Sequence, residues 1–518
     1  MAQSVERGME DKTRLAITVC LILATLMQSL DTTIANVALP YIQGSVSASQ
    51  DEIAWVLTSY IVASAIMTPP TGFLATRFGI KRVLLVCMAG FIISSMLCGA
   101  AQSLPQIVFF RCLQGGLSAA INPLTQTVLF NINPPERHGR VMSTFGIATM
   151  ASPLLGPVLG GWLTSDFTWR AVFYINMPIG ALAFIGTLIF LPQSKTETNF
   201  RLDWFGFGTL SLAVGALQLL LDRGTERDWF SSSEIVIEAI LVGMAFYLFL
   251  VQIFTTHAPF IRPALFKDRN FTAGTLFIAS VGMTSFAATS LQPPFLQGLM
   301  NEPIVTAGLV MGPRGLGTII SMLITGRLIG QVDSRLILFL GTTITAWSFY
   351  AMSGWNLDVS NAAIMLVGLV QGLGQGLIVV LLSTISLSSM APEHRAEGAS
   401  VYNLARTIGS SAGISIINSL LTRNAQINHA NIAIYATAFN RPLNSTHVAA
   451  FWSPFTASGR AALDAVINQQ ASIIAYDDDY KLLMFATLAT LPLLLFFKVA
   501  ERKKPKPALH RSDLNHAS

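Results

Sequence analysis

Two ionisable side chains stand inside long apolar runs of this 518-residue sequence. Asp31 lies in a run at 15–37, and Arg111 lies in a run at 106–130. If these runs cross a lipid bilayer, a charge near its centre costs at least about 2.5 to 3.5 kcal/mol on insertion scales, and such residues are usually functional. Counting about 1.5 Å per helical residue places both side chains at a similar depth. A pair between Asp31 and Arg111 is therefore geometrically possible.

Polar residues continue from both positions at helical spacing. The run that holds Arg111 carries one stripe, made of Gln114, Ser118, Asn122 and Thr125. The run that holds Asp31 carries another, made of Thr25, Gln28, Ser29, Thr32 and Asn36. Such stripes in apolar surroundings favour a shared aqueous or substrate cavity, with six candidate lining residues: Gln28, Asn36, Gln114, Asn122, Arg314 and Arg406. Hydrogen bonds between helices, without any path, are the alternative explanation.

Signatures of enzymes and metal sites are absent from the sequence. No lysine follows a glycine, so there is no Walker A loop, and no HExxH occurs. The GxSxG at 409–413 lies in an apolar helical run, where it does not indicate a hydrolase. The cysteines lie in apolar runs without CxxC or CxxH spacing, which is typical of packed thiols: Cys20, Cys87, Cys98 and Cys112. We therefore expect no metal, no cofactor and no enzymatic activity.

The elements that must position these residues are membrane helices. Charged residues make up 11% of the chain and hydrophobic residues 52%, and the mean hydropathy is +0.57. Soluble domains carry roughly 25% charged residues, and a single soluble core could not enclose so much apolar sequence. About 20 mainly apolar residues cross a bilayer. The sequence predicts an all-α membrane protein with fourteen spans, at 15–37, 53–75, 82–102, 106–130, 141–163, 171–192, 203–221, 235–256, 271–292, 304–328, 335–354, 361–386, 399–421 and 482–499.

The basic residues are distributed unevenly between the two sides of these spans. Of 32 Lys and Arg, 22 fall on one side, seven on the other and three within spans. Because basic residues are retained on the cytoplasmic side, the N-terminal segment 1–14 and the tail 500–518 are predicted to be cytoplasmic. The net charge of +5 is concentrated in short loops at the lipid surface, so it does not indicate a nucleic-acid partner.

An internal repeat divides the chain. PYIQG at 40–44 recurs as PFLQG at 294–298, 254 residues later, and the dipeptide QG at 114–115 recurs at 371–372, at an offset of 257. The repeat predicts two parallel six-helix bundles, which is a transporter architecture. The predicted parts are an N-terminal bundle at 15–192, an inserted helix pair at 203–256 and a C-terminal bundle at 271–499.

Two glycine-containing segments are candidate gating elements. The loop after the second span supplies Gly72, Arg77, Gly79, Lys81 and Arg82. The fifth span supplies a GxxxG pattern and a proline predicted to bend the helix, in the set Gly156, Pro157, Gly160 and Gly161. A topology signal explains the loop about as well, and ordinary close packing explains the glycines at least as well as a moving gate.

Together these segments resemble the major facilitator superfamily, and within it the fourteen-span drug:proton antiporters of the EmrB/QacA type. The resemblance is carried by LDTTIANVALP at 30–40, RCLQGG at 111–116 and GPVLGG at 156–161. PRGLG at 313–317 and RTIGSSAG at 406–413 are similar to the EmrB subgroup. The sequence departs from the family pattern at Thr76, Ile80, Leu117 and Ser152.

The resemblance implies an antiporter of the inner membrane that exchanges protons for hydrophobic or amphipathic drug-like compounds by alternating access. Proton coupling would then rest chiefly on Asp31, whose proton release is expected to be tuned by the nearby Arg111. It also implies a periplasmic adaptor (a membrane fusion protein) and, through it, an outer-membrane channel. The last external loop, predicted at 422–480, is far longer than the others and is usually functional at such length, although a solvated linker is the alternative. Export of one endogenous metabolite or siderophore is a second hypothesis, and a sensor or scaffold without flux is a third.

Overall fold

The computed structural model describes residues 11–193, 203–256, 259–436, 452–453 and 455–497. The predicted tail 500–518, most of the segment 1–14, and residues 437–451 of the predicted external loop lie outside the described residues.

The N-terminal bundle is built from nine helical segments. Ser49 begins the second of them as a capping box with Glu52. Pro69 and Pro70 interrupt the second span, which bends by 55° between two segments. The segments are α1 (Asp11–Val46), α2 (Gln50–Met67), α3 (Thr71–Phe78), α4 (Ile80–Ala100), α5 (Leu104–Ser118), α6 (Ile121–Ile132), α7 (His138–Asp166), α8 (Ala171–Tyr174) and α9 (Asn176–Phe190).

The remaining helices form the inserted pair and the C-terminal bundle. They are α10 (Trp204–Arg223), α11 (Ser233–Thr255), α12 (Arg269–Pro294), α13 (Ile304–Leu328), α14 (Ser334–Met352), α15 (Asn361–Ser388), α16 (Arg395–Ala433) and α17 (Ala457–Leu488). A π-helical turn, Phe295–Leu299, follows α12, where Pro293 and Pro294 lack N–H donors. A 3-10 turn, Leu491–Phe496, follows α17.

The all-helical membrane fold agrees with the prediction, whereas the number of spans is not fixed by it. Every predicted run overlaps at least one helix of the described residues. Ten of those helices, or eleven if the bent α2–α3 pair is one span, are long and apolar enough to cross a membrane. The remaining predicted runs lie in α7, α14 and α16, so the count of fourteen stays a prediction.

Both ends of the predicted external loop at 422–480 are helical, and its external position stays a prediction. Helix α16 continues to Ala433, and α17 begins at Ala457, where the hydroxyl of Thr456 accepts a hydrogen bond from the Gly459 N–H at 3.0 Å. Hydropathy identifies only the apolar part of a helix, and these extensions are polar. At about 1.5 Å per residue, the 39 residues of α16 are roughly twice as long as the about 30 Å hydrocarbon core.

The two bundles repeat the same helix contacts. Helix α1 packs on α7 as α12 packs on α16, and α2 packs on α5 as α13 packs on α15. Glycines with positive φ, Gly79 at 87° and Gly330 at 85°, lie in corresponding connections before α4 and α14. Few side chains other than glycine tolerate that backbone conformation.

Contacts between the bundles concentrate at one end, the end that the basic loops predict to be cytoplasmic. The hydroxyl of Ser143 on α7 donates to the Met322 carbonyl on α13 at 2.6 Å. The amide of Asn403 on α16 donates to the Gln126 side chain on α6 at 3.2 Å, and Arg395 donates to the Asn131 side chain at 2.9 Å. The two bundles are therefore closed against each other at this end.

The inserted pair bridges the bundles from the side. Helix α10 packs on both α2 and α16. Thr58 on α2 donates a hydrogen bond to Asp222, and Ser415 on α16 donates to the Leu221 carbonyl at 2.5 Å. The Trp229 indole, in the turn between α10 and α11, donates to Ser419 at 2.9 Å. Helix α11 presents large exposed apolar side chains outward, as expected for a surface in lipid.

Candidate functional site

The centre of the N-terminal bundle holds a buried carboxylate with three donors. Oδ2 of Asp31 accepts a hydrogen bond from Nη1 of Arg111 at 2.6 Å. Oδ1 accepts from Nε2 of Gln114 at 2.9 Å and from Nδ2 of Asn176 at 2.6 Å. The pairing of Asp31 with Arg111 that their similar depth allowed is present, and the proton-coupling role of the two residues stays a prediction.

The arginine of this pair also contacts three other groups. Nε of Arg111 donates to the Val56 carbonyl at 3.2 Å, and Nη1 also donates to Oε1 of Gln114 at 2.8 Å. The guanidinium carbon lies 4.3 Å from the centre of the Tyr60 ring, a cation–π contact. These partners hold Arg111 in one position against the carboxylate.

Burial of the pair is complete. Asp31 is 1% exposed and Arg111 is 0% exposed. The cost of removing two charges from water often matches or exceeds their attraction, so a buried ion pair is weak evidence for a purely stabilising role. Because a protonated carboxylic acid would no longer form the ion pair with Arg111, the arrangement can couple proton uptake to separation of the two side chains.

Close packing of glycines brings the helices of the site together. A Cβ on Gly115 of α5 would collide with the backbone of Tyr60 on α2, and a Cβ on Gly156 of α7 would collide with the Thr33 side chain on α1. Gly160, one turn later, faces Val37 of α1. The GxxxG pattern therefore places α7 directly on the helix that carries Asp31.

The predicted cavity residues of the N-terminal bundle do not share one environment. Gln114 uses both ends of its amide within the Asp31 network. Gln28 is buried with an Oε1 that has no hydrogen-bond partner, and Asn122 is half-buried with an equally unpartnered Oδ1. Asn36 is exposed. That these side chains line a substrate cavity stays a prediction.

The two arginines of the C-terminal bundle are half-buried, and neither has a carboxylate partner among the residues that the structure describes. Nη2 of Arg314 donates to the Ser285 carbonyl at 3.1 Å and to Oε1 of Gln375 at 3.3 Å. Arg406 lies on α16, and its backbone packs against Gly282 of α12. Within the described ranges, the ion pairs include neither arginine.

The predicted gating residues lie at the closed end and on α7. A Cβ on Gly72 would lie 2.6 Å from Cα of Glu397 on α16, so the loop glycine contacts the opposite bundle directly. Arg77 stacks over the Phe78 ring at 5.8 Å, Lys81 is half-buried and Arg82 is exposed. Helix α7 runs without interruption through Pro157, and a Cβ on Gly161 would have no neighbour within 4 Å. The gating role and the bend at Pro157 stay predictions.

Three residues of the site were missed by sequence reasoning. Asn176 bonds to Asp31, and its Nδ2 also donates to Ser95 at 2.9 Å. Tyr60 supplies the ring under Arg111. The available sequence signal for Asn176 and Ser95 was a single polar residue within an apolar run, since polar groups in membrane helices usually find a partner.

A second buried acid was assigned to the external loop. Asp479 lies within α17, is 1% exposed, and has two carboxylate oxygens without a hydrogen-bond partner. The sequence places it three residues before the predicted final span, which explains why it was read as part of a loop.

The cysteines are free thiols, and the part of the chain that the structure describes holds no group of His, Cys, Asp and Glu able to bind a metal. Cys87 and Cys98 are buried as predicted. Cys112 is exposed, so the prediction of a packed thiol is wrong there. Its apolar run faces outward at that position instead of into the bundle.

The two bundles with parallel contacts and the buried pair define a membrane transporter, and the chain belongs to the major facilitator superfamily. Residues 21–414 match the family described as Major Facilitator Superfamily. The predicted resemblance to its EmrB-type members is confirmed by relatives of high coverage.

One such relative is the multidrug export protein EmrB of Escherichia coli (strain K12), 35% identical over 84% of this chain and 85% of that protein. Another is the fatty acid resistance protein FarB of Neisseria gonorrhoeae, 34% identical over 83% of this chain and 85% of that protein. Among solved structures, the human organic anion transporter MFSD10 is similar in fold, with a TM-score of 0.58 and 13% identity over 92% of this chain and 99% of that chain.

Proposed function

We propose that the protein is a proton-driven antiporter that exports hydrophobic or amphipathic compounds across the inner membrane, with both termini cytoplasmic. The observation that carries the proposal is the fully buried Asp31 carboxylate, held by Arg111 and two amides. Two similar proteins are named for multidrug export and for fatty acid resistance, which supports an exported substrate of this class.

Coupling arises because a proton and the Arg111 guanidinium compete for the Asp31 carboxylate. While the carboxylate is ionised, the ion pair joins α1 to α5 inside the N-terminal bundle. A proton on Asp31 removes the ionic part of that contact and frees Arg111 to move. Because a buried charge without its partner is strongly unfavourable, proton binding and substrate release are linked to rearrangement of the bundle.

Alternating access would then require the closed end to open. In this structure the Ser143, Gln126 and Asn131 contacts join the bundles at the predicted cytoplasmic end. The polar extensions of α16 and α17 project from the opposite end, where His429 and Asp464 pair at 2.8 Å. We propose this hairpin as the surface for a periplasmic adaptor that leads to an outer-membrane channel.

The test is transport in liposomes containing the purified protein. An imposed pH gradient should drive efflux of a fluorescent amphipathic dye by the wild type. The Asp31→Asn variant should lose gradient-driven efflux and keep exchange of labelled for unlabelled dye without a gradient. Glu238→Gln, which removes the acid of α11 outside the network, is the matched control and should keep both activities.

Gradient-driven efflux that survives in Asp31→Asn would overturn the coupling assignment. A folded wild type that exchanges no compound across a broad panel would instead favour the sensor or scaffold hypothesis. Exchange restricted to one metabolite or siderophore would favour narrow export.

A further inference from the structure

The internal repeat aligns the Asp31 network with a site of different charge in the C-terminal bundle. At the offsets of 254 and 257 residues, four positions of the network and the neighbouring Ser118 have counterparts. Ser285 corresponds to Asp31, Arg314 to Tyr60, Gly368 to Arg111, Gln371 to Gln114, and Gln375 to Ser118.

The structure supports this alignment through equivalent contacts. In the N-terminal bundle a Cβ on Gly115 would collide with the backbone of Tyr60, and in the C-terminal bundle a Cβ on Gly372 would collide with the backbone of Arg314. Gly372 corresponds to Gly115 at the same offset. The two pairs of helices therefore pack in the same register, and the residue comparison is spatial as well as sequential.

The alignment shows that Ser285 stands where the N-terminal bundle has the Asp31 carboxylate. The arginine of the N-terminal bundle donates to the Asp31 carboxylate, whereas Arg314 donates to the backbone carbonyl of Ser285, whose hydroxyl occupies the position of that carboxylate. That hydroxyl accepts a hydrogen bond from Nε2 of Gln375 at 3.0 Å. The C-terminal bundle thus keeps an arginine and a glutamine at the site but no internal carboxylate to neutralise the charge.

No other acid in the described ranges compensates Arg314. Its contacts there use only Nη2, although a guanidinium carries five N–H donors. Asp479 of α17 is buried but forms no ion pair or hydrogen bond. The backbone of Arg406, a further arginine of this bundle, packs on Gly282, three residues before Ser285.

We propose that Arg314 binds the anionic head group of an amphipathic substrate, taking the place that Asp31 fills in the other bundle. A carboxylate is the chemistry that an arginine fork holds best, through charge-assisted hydrogen bonds. A small cavity beside Ser285 and Gln375 is lined by Phe277, Val281 and Ile378 together with five threonines. This inference rests on the proposed export function and assigns its substrate class.

A binding experiment without any gradient tests the assignment. The protein is placed in lipid nanodiscs, and two probes are titrated: 11-(dansylamino)undecanoate and the matching uncharged undecanamide. The wild type should bind the carboxylate about tenfold more tightly than the amide, a difference of about 1.4 kcal/mol. Equal affinities for the two probes would overturn the proposal.

Substitutions at Ser285 give the matched variants. Ser285→Asp supplies the carboxylate that the repeat lacks, so it should occupy Arg314 and abolish the preference for the anionic probe. Ser285→Asn, of similar size and without charge, should keep the preference. A folded Ser285→Asp protein that still prefers the carboxylate by the same factor would show that the anion binds elsewhere.

Arg314 itself is tested by Arg314→Lys and Arg314→Gln, with thermal unfolding as the measure of folding. The lysine should keep part of the preference, and the glutamine should lose it. Failure of the export proposal is recognised separately, because the preference would persist in the wild type while gradient-driven efflux stayed independent of Asp31.

Discussion

The side-chain amide of Asn176 donates a hydrogen bond to the Asp31 carboxylate over 2.6 Å, from a helix 145 residues further along the chain. Both side chains are buried, each 1% exposed. Asn176 therefore joins α9 to α1 and holds one carboxylate oxygen while Arg111 holds the other.

Replacing Asn176 by Ala should lower the free energy of unfolding by about 1.5 to 3 kcal/mol, the usual contribution of a hydrogen bond to a charged group. Asn36→Ala, at an exposed asparagine on α1, should change it by less than about 0.5 kcal/mol. Thermal or denaturant unfolding of the detergent-solubilised proteins measures both. Equal stability of the two variants would show that Asn176 contributes nothing to the site.

Substitution by alanine should have very different effects at two adjacent glycines on α5. A Cβ on Gly115 would overlap the backbone of Tyr60, which cannot move without shifting α2. A Cβ on Gly116 would meet only Cγ of Met67 at 3.4 Å. Gly115→Ala should therefore lose about 1 to 3 kcal/mol of stability or fail to fold, and Gly116→Ala should be close to wild type. The fraction of monodisperse protein on size exclusion and the unfolding temperature report the difference.

A disulfide across the closed end should stop transport. A Cβ on Gly139 would lie 3.0 Å from Cβ of Ile329 in the opposite bundle, near the spacing found in disulfides. In a background with the four native cysteines replaced by serine, Gly139→Cys/Ile329→Cys should cross-link on oxidation, lose efflux, and regain it on reduction.

The control pair for this cross-link lies within one bundle. A Cβ on Gly341 would be 3.0 Å from Cβ of Leu377, which is the same spacing. Gly341→Cys/Leu377→Cys should cross-link without blocking efflux, because the bundles are still free to move apart. Undiminished efflux in the oxidised Gly139→Cys/Ile329→Cys protein would contradict opening at this end.

His138 should make stability depend on pH. It precedes the predicted span at 141–163, and its Nε2 donates to the carbonyls of Phe130 at 3.1 Å and Asn133 at 3.0 Å. Burial lowers the pKa of His138, and the charge of Arg395 lowers it further, while the two carbonyl contacts oppose this. The folded protein thus favours neutral His138.

The direction of this pH dependence follows from proton binding by His138 in the folded and unfolded protein. The unfolded chain binds the proton near pH 6.5, and the folded chain binds it only at lower pH. The stabilising contribution is therefore complete above about pH 6.5 and is lost as the pH falls towards the lowered pKa. His138→Gln, which keeps an N–H donor but cannot ionise, should show a smaller decrease in unfolding temperature from pH 7 to pH 5. Identical decreases in the two proteins would mean that His138 is not responsible.

The sequence by itself determined the helical membrane fold and the central ion pair. Long apolar runs predict helices in lipid, because a helix satisfies each backbone group with a hydrogen bond inside its own segment. Asp31 and Arg111 could be matched by depth alone, since helical rise is constant and a lone charge in an apolar run needs a partner. The spacing of Gly156 and Gly160 predicted close packing, and the structure supplied its partner, α1.

Only the tertiary structure decided which faces meet. Periodicity shows that Gln114 and Asn122 share a stripe, yet Gln114 bonds to Asp31 while Asn122 does not, because the rotation of one helix against another is fixed by packing. Asn176 became a ligand of Asp31 for the same reason. The polar ends of α16 and α17 were invisible to hydropathy, and the position of α10 between α2 and α16 depends on contacts far apart in the chain. Recognising the charge difference between the bundles required both the sequence and the structure. The repeat in the sequence aligned Ser285 with Asp31, and the folded helices showed Arg314 beside Ser285.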